Sequence, residues 1–302
     1  MKKLSLSIGI PAFNEEANIG QLISDIQRQK LPGLLLKEVI VSSDGSTDKT
    51  AEIVKSFSSR NIKLINNLDR QGISRGLNQI IRRASGDILI FLDADIHISD
   101  TRFIEKLANP LIRSGVDLAS PAIKELPVST FIVQVLAVSM RLKDILFATF
   151  NNGRNIYTCK GPARALSRRF YSKLIFPPIV GVDRHSYLAC ERHGFKYQFV
   201  PQAVAFYQLP QNFSDHQKQS LRFFKSLSDH DKLFSHEFVK SQLRIPFNTY
   251  VHASFKALPI LIKYPLHSLV YFFIQFYIKI LSLVTKPVSD KWDMAVSSKK
   301  LQ

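Results

Sequence analysis

The chain has 302 residues, 45% hydrophobic and 22% charged, with 12 Gly and 14 Pro, which excludes a disordered, collagen-like or low-complexity chain and leaves room for a sizeable core. Lys and Arg number 41 against 24 Asp and Glu, a formal charge of +17 that favours phosphate-rich ligands or an anionic surface without choosing between them. The two cysteines, Cys159 and Cys190, have no metal-ligand spacing and cannot build a disulfide framework, so a structural zinc site is excluded and a reducing compartment fits.

Leu4, Leu6, Ile8 and Ile10 alternate with small or polar residues, the period of a strand, and Asn14-Glu15-Glu16 follows before any long apolar run. The segment therefore reads as a first strand and not as a signal peptide. Up to about Lys124 the pattern keeps switching between short apolar runs and helical periodicity, the mark of a parallel sheet covered by helices on both faces. Strands are expected at Ser5–Ile10, Glu38–Val41, Ile62–Ile65, Ile88–Leu92 and Val116–Ala119, and helices over Glu15–Arg28, Thr47–Phe57, Ile73–Ala84 and Thr101–Arg113. The spacing further predicts an apolar helix over Thr130–Phe150, a helix over Val182–His193, a strand at Lys196–Val200 and a polar helix over Ser214–Phe234. Two very apolar stretches, Tyr250–Ile262 and Leu266–Thr285, precede the polar tail Lys286–Gln302. The expected organisation is a domain over 1–235, with a nucleotide-sugar-binding half at 1–124 and an acceptor-side half at 125–235, then C-terminal apolar helices and tail at 236–302.

The turn after the first strand, Pro11-Ala12-Phe13-Asn14-Glu15-Glu16, lacks the glycines of a dinucleotide-binding turn, and no P-loop pattern is present. Carboxylates stand at strand ends instead, where open α/β sheets bind ligands: Asp44 after one strand, Asp93 and Asp95 after another. A lone strand-end Asp is usually a turn former or helix cap. Here an apolar run drives straight into Asp-Ala-Asp, and two carboxylates at i, i+2 can share a divalent cation or divide between cation and ribose.

The order Pro11-Ala12-Phe13-Asn14-Glu15-Glu16, Asp44-Gly45-Ser46-Thr47-Asp48, Gly72-Ile73-Ser74-Arg75-Gly76-Leu77-Asn78 and Asp93-Ala94-Asp95 resembles the family 2 glycosyltransferases of the GT-A fold. The resemblance implies an α/β, Rossmann-like, mostly parallel sheet with helices on both faces. It implies that Pro11, Ala12, Phe13, Asn14, Glu15 and Asp44 hold the base and ribose of a nucleotide sugar, and that Asp93 and Asp95 bind ribose and Mg²⁺ or Mn²⁺ on the diphosphate. Arg75 falls near the nucleotide in that reading, and is a solvated helix charge in the other. Gly76 stands where the family usually has Ala, a departure that bears on helix packing. Gly181-Val182-Asp183-Arg184 matches the family's acidic pair with its first acid replaced by Val182, which makes Asp183 the catalytic base, or a helix N-cap if the match misleads. Gln219 and Arg222 in Gln219-Ser220-Leu221-Arg222-Phe223 resemble the acceptor-side motif of processive synthases with Phe for Trp; the alternative is a solvated helix face.

The function expected is transfer of a sugar from a nucleotide sugar, uridine-linked, to a lipid-linked or glycan acceptor at the cytoplasmic face of a membrane, with inversion. Leu266–Thr285 is long enough for a ~30 Å hydrocarbon core, yet Lys279 interrupts it, so it spans, lies in the interface beside anionic headgroups, or packs on Thr130–Phe150. A non-catalytic nucleotide-sugar-binding or membrane scaffold protein would have lost the metal carboxylates, and both are present. A specific nucleic-acid binder would interleave aromatics with basic residues, and no such motif occurs.

Overall fold

The computed structural model describes residues 3–57, 59–128, 130–225 and 227–284. Its strands are β1 (Leu4–Ala12), β2 (Leu34–Asp44), β3 (Ile62–Asn67), β4 (Ile88–Leu92), β5 (Ile96–His97), β6 (Leu118–Glu125), β7 (Ala163–Ser167) and β8 (Tyr197–Tyr207). Among the described residues they form one sheet in the order β3-β2-β1-β4-β7-β6-β8-β5. β1 to β4 run parallel; β7 enters antiparallel between β4 and β6, and β8 pairs parallel with β6. Strands from either side of residue 124 thus share the sheet.

The helices are α1 (Ile19–Gln27), α2 (Thr50–Ser56), α3 (Ile73–Arg83), α4 (Phe103–Arg113), α5 (Phe131–Thr149), α6 (Arg168–Tyr171), α7 (Val182–Arg192), α8 (Phe213–Lys225), α9 (Leu227–Phe234), α10 (His236–Leu243), α11 (Phe247–Lys263) and α12 (Pro265–Val284). The polar helix expected over Ser214–Phe234 is two, α8 and α9, and α10 lies where none is predicted. The tail 286–302 lies outside the described residues.

Alternation along the strands builds both layers. Ile88, Ile90 and Leu92 face a core with Leu22, Ile23 and Ile26 of α1 and Phe103, Ile104 and Leu107 of α4. Leu89 and Phe91 point the other way, onto Leu77 and Ile80 of α3, Phe170 of α6 and Leu188 of α7. On that second face β1 presents Ser7 and Gly9. A Cβ on Gly9 would lie 2.3 Å from Ile80 Cγ2, so the missing side chain is what lets α3 approach. At Gly76 an added Cβ meets Ser42 Oγ at 3.4 Å, ordinary contact, so the family's usual Ala would also fit.

α11 and α12 pack on α5, and α12 reaches α8 as well, through Phe213 against Tyr277 with ring centroids 5.9 Å apart. Ser268, Tyr271 and Ile278 of α12 are buried on the inner side. The outer side is apolar and exposed, with Ile262 at 76% and Phe276 at 67%, alongside Phe255, Phe272 and Phe273.

Far from the carboxylate edge, Glu38 fastens three strands. Its Oε1 accepts from Ser7 Oγ at 2.7 Å and from the Ser85 N–H at 2.8 Å, and its Oε2 from Lys63 Nζ at 2.5 Å. Burial alone would raise the carboxyl, but the Lys63 ammonium and the Ser7 and Ser85 hydrogen bonds outweigh it and hold it at about 2, below its ordinary 4.5. A depressed carboxyl stabilises the fold above its unfolded pKa, and the contribution is lost as pH falls from about 4.5 towards about 2. Glu38→Gln is expected to cost about 1.5–3 kcal/mol at pH 7, with the gap to wild type closing over that acid range in denaturant melts. A gap independent of pH would contradict this assignment.

Candidate active site

The parallel strands β1, β2 and β4 end at one edge of the sheet, and the turns there are knotted to each other by hydrogen bonds. Asn14, at φ +53°, donates its N–H to Ser46 Oγ and accepts the Thr47 N–H on Oδ1 at 2.8 Å. The Glu15 N–H donates to Thr50 Oγ1 at 2.7 Å, and the Glu16 carboxylate accepts the Lys49 N–H at 3.0 Å. The buried Glu15 side chain accepts from Asn18 Nδ2 at 3.0 Å. Asp44 takes the N–H groups of Gln71 and Gly72 on its two oxygens, each at 2.8 Å. That approach requires Gly45: at φ +71° a Cβ there would sit 2.5 Å from the Arg70 nitrogen. The loop so anchored lays the Arg70 guanidinium 4.0 Å from the centroid of the Phe13 ring. Pro11 pairs with Ser42 and Ala12 with Ser43 in the register of β1 and β2, beneath these turns. The sequence-selected turn residues and Asp44 therefore form one rim, in which Asp44 has a structural duty beside any ligand contact. Arg75 is exposed in the first turn of α3 and does not line the cleft described next.

Asp93 and Asp95 follow β4 and open into a cleft of about 670 Å³. Asp93 is fixed by its N–H donating to the Pro162 carbonyl at 2.9 Å. Beyond Asp95, the buried Asp25 of α1 accepts the Ile98 N–H and faces His97 Nδ1, both at 3.0 Å, so the chain leaving the acid pair is held at a fixed place. Asp183 lines the same cleft from the first turn of α7. It is not the helix cap: Gly181 occupies that position, at φ +85°, with no side-chain cap bond. A Cβ added to Gly161 would touch the Asp183 carboxylate at 3.7 Å, so glycine leaves room beside that group.

Gln219 and Arg222 of α8 line the cleft too, which removes the solvated-face alternative. Burial lowers the Arg222 pKa while the charges of Asp183, Asp93 and Asp95 oppose the shift, placing this guanidinium amid all three acids. Burial, with Asp95 and Asp183 as negative neighbours, pushes Asp93 well above the ordinary carboxylate range against the pull of Arg164 and Arg222. Burial raises Asp95 as well, against its backbone hydrogen bond and Arg222. Acids crowded until their ionisation is costly are the donor set a hard divalent cation relieves. Among the described residues no three His, Cys, Asp or Glu converge on one point. The pair thus fits Mg²⁺ or Mn²⁺ held by one or two carboxylates and completed by ligand phosphate oxygens, not a closed protein cage.

Sequence reasoning missed four further participants. Arg164, buried in β7, balances Asp93 and stacks over Phe91 with 5.8 Å between guanidinium carbon and ring centroid. Lys143 of α5, His216 of α8 and Gln275 of α12 line the same cleft. The signal for Lys143 was available: Leu136, Ser139, Met140, Lys143 and Phe147 recur at helical spacing along one stripe of α5.

Against known proteins, the sequence profile described as glycosyl transferase family 2 matches residues 7–175, more than half of the chain. The chain belongs to that family. A 4,4'-diaponeurosporenoate glycosyltransferase of Staphylococcus aureus is 27% identical over 173 residues, 55% of this chain and 45% of that relative, so the chain aligns with about half the length of the curated relatives it matches. Two solved structures share the fold. A mannosyltransferase of Pyrobaculum calidifontis, in complex with GDP-Man and Mn²⁺, matches at a TM-score of 0.59 with 17% identity, over 94% of this chain and 81% of that one. Glucosyl-3-phosphoglycerate synthase of Mycobacterium tuberculosis, with Mn²⁺, UDP-glucose and phosphoglyceric acid, matches at 0.55 with 21% identity, over 76% of this chain and 79% of that one. The architecture is thus the GT-A type expected from the motifs.

Proposed function

We propose that the chain transfers a sugar, with inversion, from a uridine-linked nucleotide sugar to an acceptor presented at the cytoplasmic face of a membrane. The observation that carries this reading is the gathering of Asp93, Asp95 and Asp183 round Arg222 in one cleft, beside a rim built from the turns after β1 and β2. In it, Asp44 and the turn Pro11–Glu15 seat the base and ribose, and Asp93 and Asp95 hold the cation. A bound Mg²⁺ or Mn²⁺ supplies charge neutralisation for the departing diphosphate. Arg222 offers a second positive charge on the same side of the cleft. Asp183, free of any capping duty, takes the proton of an acceptor hydroxyl as that oxygen attacks the anomeric carbon. Gln219 lines the acceptor side.

The experiment is nucleoside diphosphate release over a panel of uridine- and guanosine-linked sugars, with and without Mn²⁺, using detergent-solubilised full-length protein and a membrane extract as acceptor source. Release should be greatest with a uridine-linked donor and should need the cation. Asp183→Asn should lower turnover about 10²- to 10⁴-fold while leaving UDP binding intact, the range for a positioned acid or base. Equal release by wild type and Asp183→Asn, or none from any donor, would overturn the reading.

Membrane attachment follows from α11 and α12. α12 is long and apolar enough to cross a membrane, but its stripe Ser268, Tyr271, Ile278 is buried over ten residues, about 15 Å, which favours a helix lying along the protein over one leaving it to span. The opposite stripe is apolar and exposed, as an in-plane interfacial helix requires. Phe273→Glu with Phe276→Glu should move full-length protein from floated anionic liposomes to the soluble fraction, whereas high salt should leave wild type bound, since apolar burial is not screened. Complete release of wild type by salt would make the attachment electrostatic.

A further inference from the structure

The cleft also carries a positive charge that none of the described carboxylates neutralises by direct contact. Lys143 projects from α5 into the cleft, with its ammonium 5.3 Å from the centroid of the Tyr271 ring of α12. The neighbouring Asp144 is paired with Lys160 at 2.5 Å, and Lys143 makes no ion pair or hydrogen bond within the described residues. Burial pulls its pKa down to about 8, with only the charge of Asp144 opposing, so at neutral pH it remains mostly cationic yet is short of a counter-ion. His216, which faces it from α8, gives no negative charge; burial holds that imidazole at about 4 and hence neutral. One turn from Tyr271, Gln275 also lines the cleft, and its Nε2 is buried without an acceptor. A buried amide N–H and a buried ammonium left open on one wall are costly unless a ligand satisfies them. Leu136, Met140 and Leu209 give the same cleft an apolar lining. The helix that supplies Gln275 presents its other side as the exposed apolar surface.

We propose that the space between α5 and α12 is the acceptor subsite, and that it takes an amphipathic acceptor bearing an anionic group, with Lys143 as its counter-cation and the Gln275 amide as a second donor. This rests on the glycosyltransferase reading above and adds the chemical class of acceptor to it. The acceptor's apolar portion lies along α5 and towards the exposed face of α12, its anionic group meets Lys143, and a separate hydroxyl reaches the side of the cleft where Asp183 stands. A neutral acceptor would leave both donors unmet, so the site discriminates by charge as well as by shape.

The test is equilibrium binding by calorimetry on full-length protein, with octyl phosphate, octanol and inorganic phosphate as probes and UDP with Mn²⁺ titrated on the same preparations. Octyl phosphate should bind at least about tenfold tighter than octanol, the order set by one charge-assisted hydrogen bond, and tighter than inorganic phosphate by a similar factor. Lys143→Met should abolish the preference over octanol, Lys143→Arg should retain most of it, and Gln275→Leu should reduce it; octanol binding should not change. UDP with Mn²⁺ should bind wild type and all three variants alike, which shows that each is folded. Wild type that binds UDP but does not prefer octyl phosphate, or a Lys143→Met variant that keeps the preference, overturns the inference alone. Inorganic phosphate binding as tightly as octyl phosphate overturns the amphipathic half of it. A failed UDP titration on wild type overturns the underlying reading instead.

Discussion

Two buried carboxylates at the end of one strand, with a third lining the same cleft, define this molecule. Asp93 and Asp95 leave the end of a fully buried strand, Asp183 enters from a helix more than eighty residues later, and Arg222 stands among them. Burial and negative neighbours make ionisation of Asp93 costly, burial does the same for Asp95, and Arg222, with Arg164 beside Asp93, offsets only part of it. A divalent cation held by Asp93 and Asp95 would relieve that cost, and a diphosphate bound with it would share its charge.

Much of the surrounding fold serves to hold those groups where they would not stay unaided. Leu89, Ile90 and Phe91 bury β4 on both faces, so its end cannot drift. The Pro162 carbonyl grips the Asp93 N–H, and Asp25 grips the segment after Asp95. At the rim of the same edge, Asp44 and Gly45 draw in the loop before α3, while Asn14 and Glu16 tie the first turn to the second. α5 and α12 both line the cleft, and α12 turns Ser268, Tyr271 and Ile278 inward while Phe272, Phe273 and Phe276 stand exposed on its other side.

The parallel half was readable because strands buried on both faces are nearly unbroken runs of Ile, Leu and Val, as at Ile88–Leu92. β7 escaped because Arg164 stands in the middle of Ala163–Ser167; an arginine there reads as surface until Asp93 and Phe91 are placed next to it. β5 escaped because two residues have no period. In the site, Asp93 and Asp95 announced themselves by following an apolar run, whereas Asp183, Gln219 and Arg222 were visible only by likeness to a family pattern, and the structure puts them in the cleft. Arg75, like Pro11–Glu15 and Asp44, is not among the residues that line the cleft. Lys143 and Gln275 sit in apolar helices, and the cleft that both line joins segments more than a hundred residues apart. Residue type and period carry local structure, but the pairing of lone polar groups is a property of the folded chain.

The central claim is that the acid pair and a nucleoside diphosphate together bind a divalent cation. It is tested most directly by room-temperature EPR of Mn²⁺, in which the sharp signal of the free ion is lost on binding. Full-length protein with UDP should remove more of that signal than UDP alone, and Asp95→Asn with UDP should leave it at the level of UDP alone. If wild type and Asp95→Asn remove the same amount, the cation is not held by this pair and the account of the site is wrong.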